Sequence, residues 1–244
     1  MKRHINPLFT LYQFTIALPV LLVLTILTAL LTILLSPAFP NNQLSYYPAR
    51  CWGKLFCKLL FIKVEISGTE KLDEKKSYVI ACNHQSIYDI FVIYGWLPMI
   101  FKWIMKAELR RIPLVGKACE AAGHVFIDRS NPVAAKHSIE KAESQLSKGA
   151  SVVIFPEGTR SYTGQLGNFK RGAFRIATDL ALPIVPVTLN GCMECLPRNS
   201  WRVKPGTIQI LIHKPIETKE YMPDRLSELI SDTRNSIESE LKIN

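Results

Sequence analysis

Between Ile5 and Tyr47 the sequence has no charged residue. Elsewhere it is well charged, since Asp, Glu, Lys and Arg make up 20% of its 244 residues. That gap excludes an ordinary water-exposed surface for the stretch. Other absences narrow the class further. Six cysteines show no dense framework spacing, and no Asn-x-Ser/Thr triplet occurs. Reduced thiols in a cytosol-facing domain follow more simply than a disulfide scaffold. Cys192-Met-Glu-Cys195 is a CxxC without a second pair, so neither a zinc site nor redox use is expected. No G-x-S-x-G elbow is present, which weighs against an α/β-hydrolase. No G-x-x-x-x-G-K-[ST] is present, which weighs against an NTPase. Internal repeats and low-complexity linkers are also missing. What remains is one sizeable domain with an accessory segment.

The accessory segment comes first. Leu8 to Leu35 is dominated by Leu, Ile, Thr, Ala, Val and Phe. As a helix of about 28 residues it would reach roughly 42 Å, beyond the ~30 Å hydrocarbon core of a bilayer. Pro19 inside the run is expected to kink or break it. The run is too long for the apolar core of a cleaved signal peptide. In the next stretch Trp52, Leu55, Phe56, Leu59 and Leu60 share one helical face, with Lys54 and Lys58 on another. This is the pattern of an interfacial amphipathic helix, which a core-facing helix shares.

Lys2, Arg3 and His4 favour a cytosolic N-terminus, so a single span would place the rest of the chain outside. The reduced-looking cysteines oppose that arrangement. A hairpin of the two segments reconciles them. Residues 1–62 are thus expected to form membrane-anchoring helices. Residues 63–244 are expected to form a cytosol-facing catalytic domain, at the inner membrane if the source is bacterial.

Charge limits the partners. Lys and Arg number 30 against 20 acids, a formal +10, which predicts a nucleic acid, a membrane surface or a phosphorylated substrate. Nucleic-acid binding would need an aromatic-interleaved or motif-bearing basic stripe, and none is found.

After residue 62 short β-branched runs alternate with helical stretches. Residues 62–67, 77–82, 100–105, 124–128, 151–155, 184–189 and 207–212 read as strands. Residues 89–96, 132–148, 170–180 and 223–241 read as helices. The alternation predicts an α/β fold with a largely parallel central sheet flanked by helices. In such folds sites gather where strands pass into helices, and two polar turns fall there.

The first is Asn83-His84-Gln-Ser-Ile-Tyr-Asp89. Residues five apart on a straight helix are about 140° out of phase. If Asn83 to Ser86 form a turn and the helix begins near Ser86, His84 and Asp89 can meet. Ser86-Ile-Tyr-Asp89 also fits a capping box, which alone would explain the acid. The second turn is Phe155-Pro-Glu157-Gly158-Thr159-Arg160-Ser161. Gly158 allows close backbone approach to a ligand, and Arg160 offers a fork suited to phosphate. Glu157 could hold a hydroxyl or orient Arg160. The plain alternative for this stretch is a surface turn.

Together these blocks resemble the glycerolipid acyltransferases, specifically the 1-acyl-glycerol-3-phosphate acyltransferases. A second block resembles Lys106-Ala-Glu-Leu109 through Gly116, with Gly123 through Asp128-Arg129. A fourth is the proline-bearing strand Leu182-Pro183-Ile184-Val185-Pro186-Val187. The resemblance spans about residues 65 to 190. Many relatives carry a second arginine where this chain has Tyr162, and Lys170 and Arg171 are possible substitutes.

The resemblance implies His84 and Asp89 as the catalytic pair. It implies Asn83, Lys106, Arg129, Glu157, Gly158, Thr159 and Arg160 as substrate-binding residues. It implies acyl transfer to the sn-2 hydroxyl of 1-acyl-glycerol-3-phosphate. The implied partners are a membrane lipid substrate, the bilayer, and acyl-CoA or acyl-carrier protein as co-substrate, with no other cofactor and no metal. Residue chemistry agrees: a thiol leaving group of pKa about 8.5 needs little acid help, whereas the alcohol needs a base, which His84 can supply. The alternatives are acylation of another lyso-lipid, such as a lyso-aminolipid, or a non-catalytic membrane-anchored protein that binds anionic lipid.

Overall fold

The computed structural model describes residues 6–73, 75–128, 150–221 and 224–243. Helix α1, Pro7–Ala38, is long and apolar enough to cross a membrane. The chain does not break at Pro19. Instead Gln13–Ala17 widens into a π-helical turn, and Pro19 falls in the first turn of the α-helical stretch that follows. Proline has no N–H to give to the carbonyl four residues back, and the widened turn just before it is where the regular ladder gives way. Asn42 then caps α2, Gln43–Leu59, by accepting from Leu44 N.

The apolar face of residues 52–60 does not lie outward. Its rings pack on α3, Tyr88–Trp96: Phe56 stacks on Phe91 at 3.9 Å, and Trp52 meets the same ring edge-on at 4.9 Å. Gly53 permits the close approach, since a Cβ there would sit 2.4 Å from Phe91 O. The interfacial reading of this stretch is therefore corrected to the core-facing one. The outward apolar surface belongs to α1, where Leu8, Leu11, Leu22, Val23 and Leu34 are among many exposed large side chains. A continuous face of that kind marks a membrane or protein contact.

Seven strands follow: β1 Ile62–Ser67, β2 Val79–Cys82, β3 Phe101–Lys106, β4 Val125–Ile127, β5 Ser151–Ile154, β6 Ile184–Asn190 and β7 Gly206–Ile212. They form one sheet in the order β1-β7-β6-β2-β5-β3-β4. All neighbours run parallel except β6 and β7. The link between these two, residues 191–205, holds only the single-turn helix Cys192–Cys195 and a loop. It lacks the crossover helix that usually carries a chain across the sheet between parallel strands. Flanking helices are α3, α4 (Val115–Ala121), α5 (Arg171–Asp179) and, after the short α6 (Cys192–Cys195), α7 (Leu226–Glu238). The α/β expectation thus stands, with strand bounds within two residues. The helix expected at 132–148 lies outside the described residues.

Strands β2, β5 and β6 are buried at every position, as expected for a sheet covered on both faces. One core cluster joins Ala17, Leu21, Tyr46 and Cys57 of the N-terminal helices to Phe91, Phe101 and Val185 of the α/β domain. The end of β2 and the end of β5 lie side by side at the sheet's centre, and the two polar turns leave from there.

Candidate active site

The turn after β2 closes on its own carboxylate. Helix α3 begins at Tyr88, and Ser86 Oγ accepts from Tyr88 N. This brings Asp89 back over the turn. Its Oδ2 accepts from Gln85 N at 2.7 Å and Ser86 N at 2.9 Å, and it lies 2.6 Å from His84 Nδ1. One oxygen thus caps the helix and holds the imidazole, so the two readings of Asp89 are both met. A carboxylate only accepts, so Nδ1 carries the proton and Nε2 keeps its lone pair. Asp89 is fully buried, and the His84 side chain is 15% exposed. The His84 ring lies flat on Phe155 at 3.9 Å, and Phe155 stacks in turn on Trp103. Beneath Asp89 sits the Cys192 thiol. Burial pushes it well above its ordinary value, and the Asp89 charge pushes in the same direction. None of the six cysteines is in a disulfide.

The second turn is fastened to the first. Glu157 Oε1 accepts from His84 N at 2.8 Å, and Oε2 accepts from Gly167 N at 2.7 Å. Ser161 N donates to His84 O at 2.8 Å. Burial pushes the Glu157 carboxyl upward, while the Gly167 and His84 N–H groups pull it back. Glu157 therefore braces the backbone of the histidine. Gly158 has φ +73°, a left-handed conformation that favours glycine.

Asn83 is likewise occupied. It donates to Leu189 O and accepts from Leu189 N, tying the turn to β6. Thr159 Oγ1 accepts from Arg198. Lys106 ends β3 and is exposed. Arg129 lies outside the described residues. Lys170 and Arg171 are exposed at the start of α5.

A cavity of about 440 Å³ opens at His84 and Gly158. Lys106, Trp103 and Phe155 line it beside them, and beyond lie Ile90, Tyr94, Val115 and Ala118. Its outer wall is α1 and α2, through Thr25, Thr28, Thr32, Ser36, Tyr46 and Trp52. His124 lines it too. There burial pushes the imidazole down to about 3, so it is neutral. It accepts from Trp103 N and donates to the Tyr94 hydroxyl. The sequence reading missed this cavity. Its one signal was the spacing of Thr25, Thr28, Thr32 and Ser36 along a single face of an otherwise aliphatic helix.

Among the described residues no three His, Cys, Asp or Glu side chains converge as a metal site would need. What the arrangement offers is an oriented base at the mouth of an apolar cavity, with cations at its rim.

A family model described as acyltransferase matches residues 63–190. A 1-acyl-sn-glycerol-3-phosphate acyltransferase of Cocos nucifera is 38% identical over 179 residues, 73% of this chain and 58% of that protein. One from Pseudomonas aeruginosa is 36% identical over 169 residues, 69% of this chain and 65% of that protein. One from Limnanthes alba is 31% identical over 225 residues, 91% of this chain and 79% of that protein. The chain spans about half to three-fifths of the first curated relatives that it matches. The crystal structure of the 1-acyl-sn-glycerophosphate (LPA) acyltransferase PlsC from Thermotoga maritima superposes with a TM-score of 0.76. It is 26% identical, and the match covers 96% of this chain and 95% of that one. The matched block contains both polar turns and six of the seven strands, so fold, motif and sequence point the same way: the chain belongs to the acyltransferase family.

Proposed function

We propose that this chain transfers a fatty acyl group from a thioester to the sn-2 hydroxyl of 1-acyl-glycerol-3-phosphate, yielding phosphatidic acid. One observation carries the reading: a His84–Asp89 pair at 2.6 Å whose free imidazole nitrogen stands at the mouth of an apolar cavity. The relatives' names give the same substrate.

In the reaction, Nε2 of His84 takes the hydroxyl proton as the oxygen attacks the thioester carbonyl. Asp89 stabilises the imidazolium and fixes its tautomer. The tetrahedral intermediate collapses, the C–S bond breaks, and the thiolate recovers the proton from His84. An ester and a free thiol result, and no serine is acylated. The donor's acyl chain lies in the cavity, where each buried methylene contributes about 0.8 kcal/mol. Lys106 and Arg160, with Arg129, hold the acceptor's phosphate. The donor is acyl-CoA or acyl-carrier protein, and no metal takes part. The exposed face of α1 seats the enzyme in the membrane, and cysteines outside any disulfide fit a domain on the cytosolic side.

The test is an acyl-transfer assay on purified protein, offered lysophosphatidic acid, glycerol 3-phosphate, and neutral or zwitterionic lyso-lipids. Preference for lysophosphatidic acid supports the proposal. Preference for an uncharged or zwitterionic acceptor keeps the chemistry and removes phosphate from the substrate. No transfer to any acceptor sinks both.

A further inference from the structure

Arg198 reaches the second polar turn from far along the chain. It sits in the loop between α6 and β7, more than 35 residues beyond Arg160 in sequence. Its Nη1 donates to Thr159 Oγ1 at 3.1 Å and to Arg160 O at 2.7 Å. Its guanidinium lies 4.0 Å over the ring of Tyr162, which is itself exposed.

The loop that carries it is fixed at three further points. Ser86 Oγ, in the His84 turn, donates to Leu196 O at 2.6 Å. Gln13, fully buried in the π-helical turn of α1, donates to Trp201 O and accepts from Val203 N. A long arginine normally loses much side-chain entropy when it is pinned. Here aromatic face, hydroxyl and carbonyl together hold it in one place.

What the pinning achieves is unusual in charge terms. Arg198 donates to the backbone of another arginine, and among the described residues neither guanidinium is in an ion pair. A guanidinium fixed at this turn with no acid paired to it is open to an anion. Only Nη1 of Arg198 is spent on the brace, so Nε and Nη2 keep their donors. Gly158, adjoining Thr159, lines the same cavity as His84. The turn that Arg198 grips therefore borders the cavity at Gly158.

We propose that Arg198, held on Tyr162, is a second arm of the phosphate seat with Arg160, and that the phosphate is the acceptor's head group. This rests on the acyltransferase reading above. The sequence had pointed to Lys170 and Arg171 for this task; Lys170 N donates to Pro156 O of the same turn, and the fold adds Arg198 to it.

The test compares wild type, Arg198→Ala, Arg198→Lys and Tyr162→Ala for kinetics with both substrates, and for binding of glycerol 3-phosphate by calorimetry. Loss of one charge-assisted phosphate contact corresponds to roughly 10- to 150-fold. Arg198→Ala is expected to raise KM for lysophosphatidic acid by at least ~10-fold and to weaken glycerol 3-phosphate binding equally, with the donor's KM unchanged. Arg198→Lys recovers part of this, and Tyr162→Ala, which removes the ring under the guanidinium, raises the acceptor KM in the same direction by a smaller factor.

A raised donor KM with unchanged acceptor KM would overturn the head-group assignment and place the donor's phosphate on Arg198. A lowered melting temperature with both KM values and glycerol 3-phosphate affinity intact would make Arg198 a loop brace and overturn the proposal. So would equal glycerol 3-phosphate binding by wild type and Arg198→Ala, whatever acceptor the enzyme prefers. The acyltransferase reading fails separately, by absence of transfer from wild type.

Discussion

The His84 turn and the cavity it opens into are built on opposite plans. In the turn almost every polar group has a named partner: Asp89 Oδ2 serves three donors, Glu157 two, and Asn83 locks to β6 on both sides. The cavity is walled mostly by apolar surface from α1, α2, α3, β3 and α4, with the hydroxyl side chains of α1 on its outer side. Bonds of fixed length specify the turn to fractions of an ångström, whereas apolar packing specifies only shape and volume. The difference teaches where each part of the activity resides. Under the proposed function, chemistry depends on the turn and tolerates little change, while chain selection depends on the cavity and can drift with side-chain size.

The comparison breaks most sharply at the histidine. His84→Ala is expected to slow acyl transfer by ~10²- to 10⁴-fold, the range for loss of a positioned base, while lyso-lipid binding persists. Steady-state kinetics with a separate binding assay check this, and wild-type turnover by the variant would remove His84 from the mechanism.

A smaller effect is expected at Glu157. In Glu157→Gln one oxygen becomes an NH₂ that faces a backbone N–H, so about 1–3 kcal/mol of stability should be lost, with activity falling as the histidine's turn loosens. The pH dependence has a definite sign. Burial raises the Glu157 carboxyl in the fold, so its contribution is fully present below the ordinary carboxylate value of about 4.3 and lost as pH rises through the folded value. The gap in denaturation free energy between wild type and the Gln variant should therefore narrow from about pH 4 towards neutrality. A gap that widens with pH would reverse the assignment.

The smallest effect is expected at the CxxC. Cys192→Ser with Cys195→Ser should keep near-wild-type turnover, and neither chelator nor reductant should alter the rate. Stoichiometric zinc in the purified protein, found by metal analysis, would contradict this.

The same contrast explains what the sequence made legible. The strands were readable because three of them are apolar at almost every position, and the His84–Asp89 meeting followed from a turn placed before a helix start. The antiparallel β6–β7 pair was not readable, since strand direction depends on where the connecting loop runs. The duties of Asn83 and Glu157 were hidden for another reason. Their partners are main-chain groups of Leu189, His84 and Gly167, which leave no trace in residue identity. Periodicity told that residues 52–60 have an apolar face but not which apolar surface receives it. Arg198 was invisible because it approaches through space, on a loop fixed by Ser86 and Gln13.

The division of labour is tested most directly by the dependence of kcat/KM on donor chain length in wild type and Ala118→Phe. Ala118 lines the cavity away from the polar turns, so the added ring removes volume without touching His84 or Asp89. Misfit of a methylene or two is worth roughly 10- to 200-fold. The predicted result is a loss of at least ~10-fold for long acyl thioesters with short ones used at wild-type efficiency. An unchanged profile, or an equal fall at every length, would contradict the claim that the cavity holds the acyl chain.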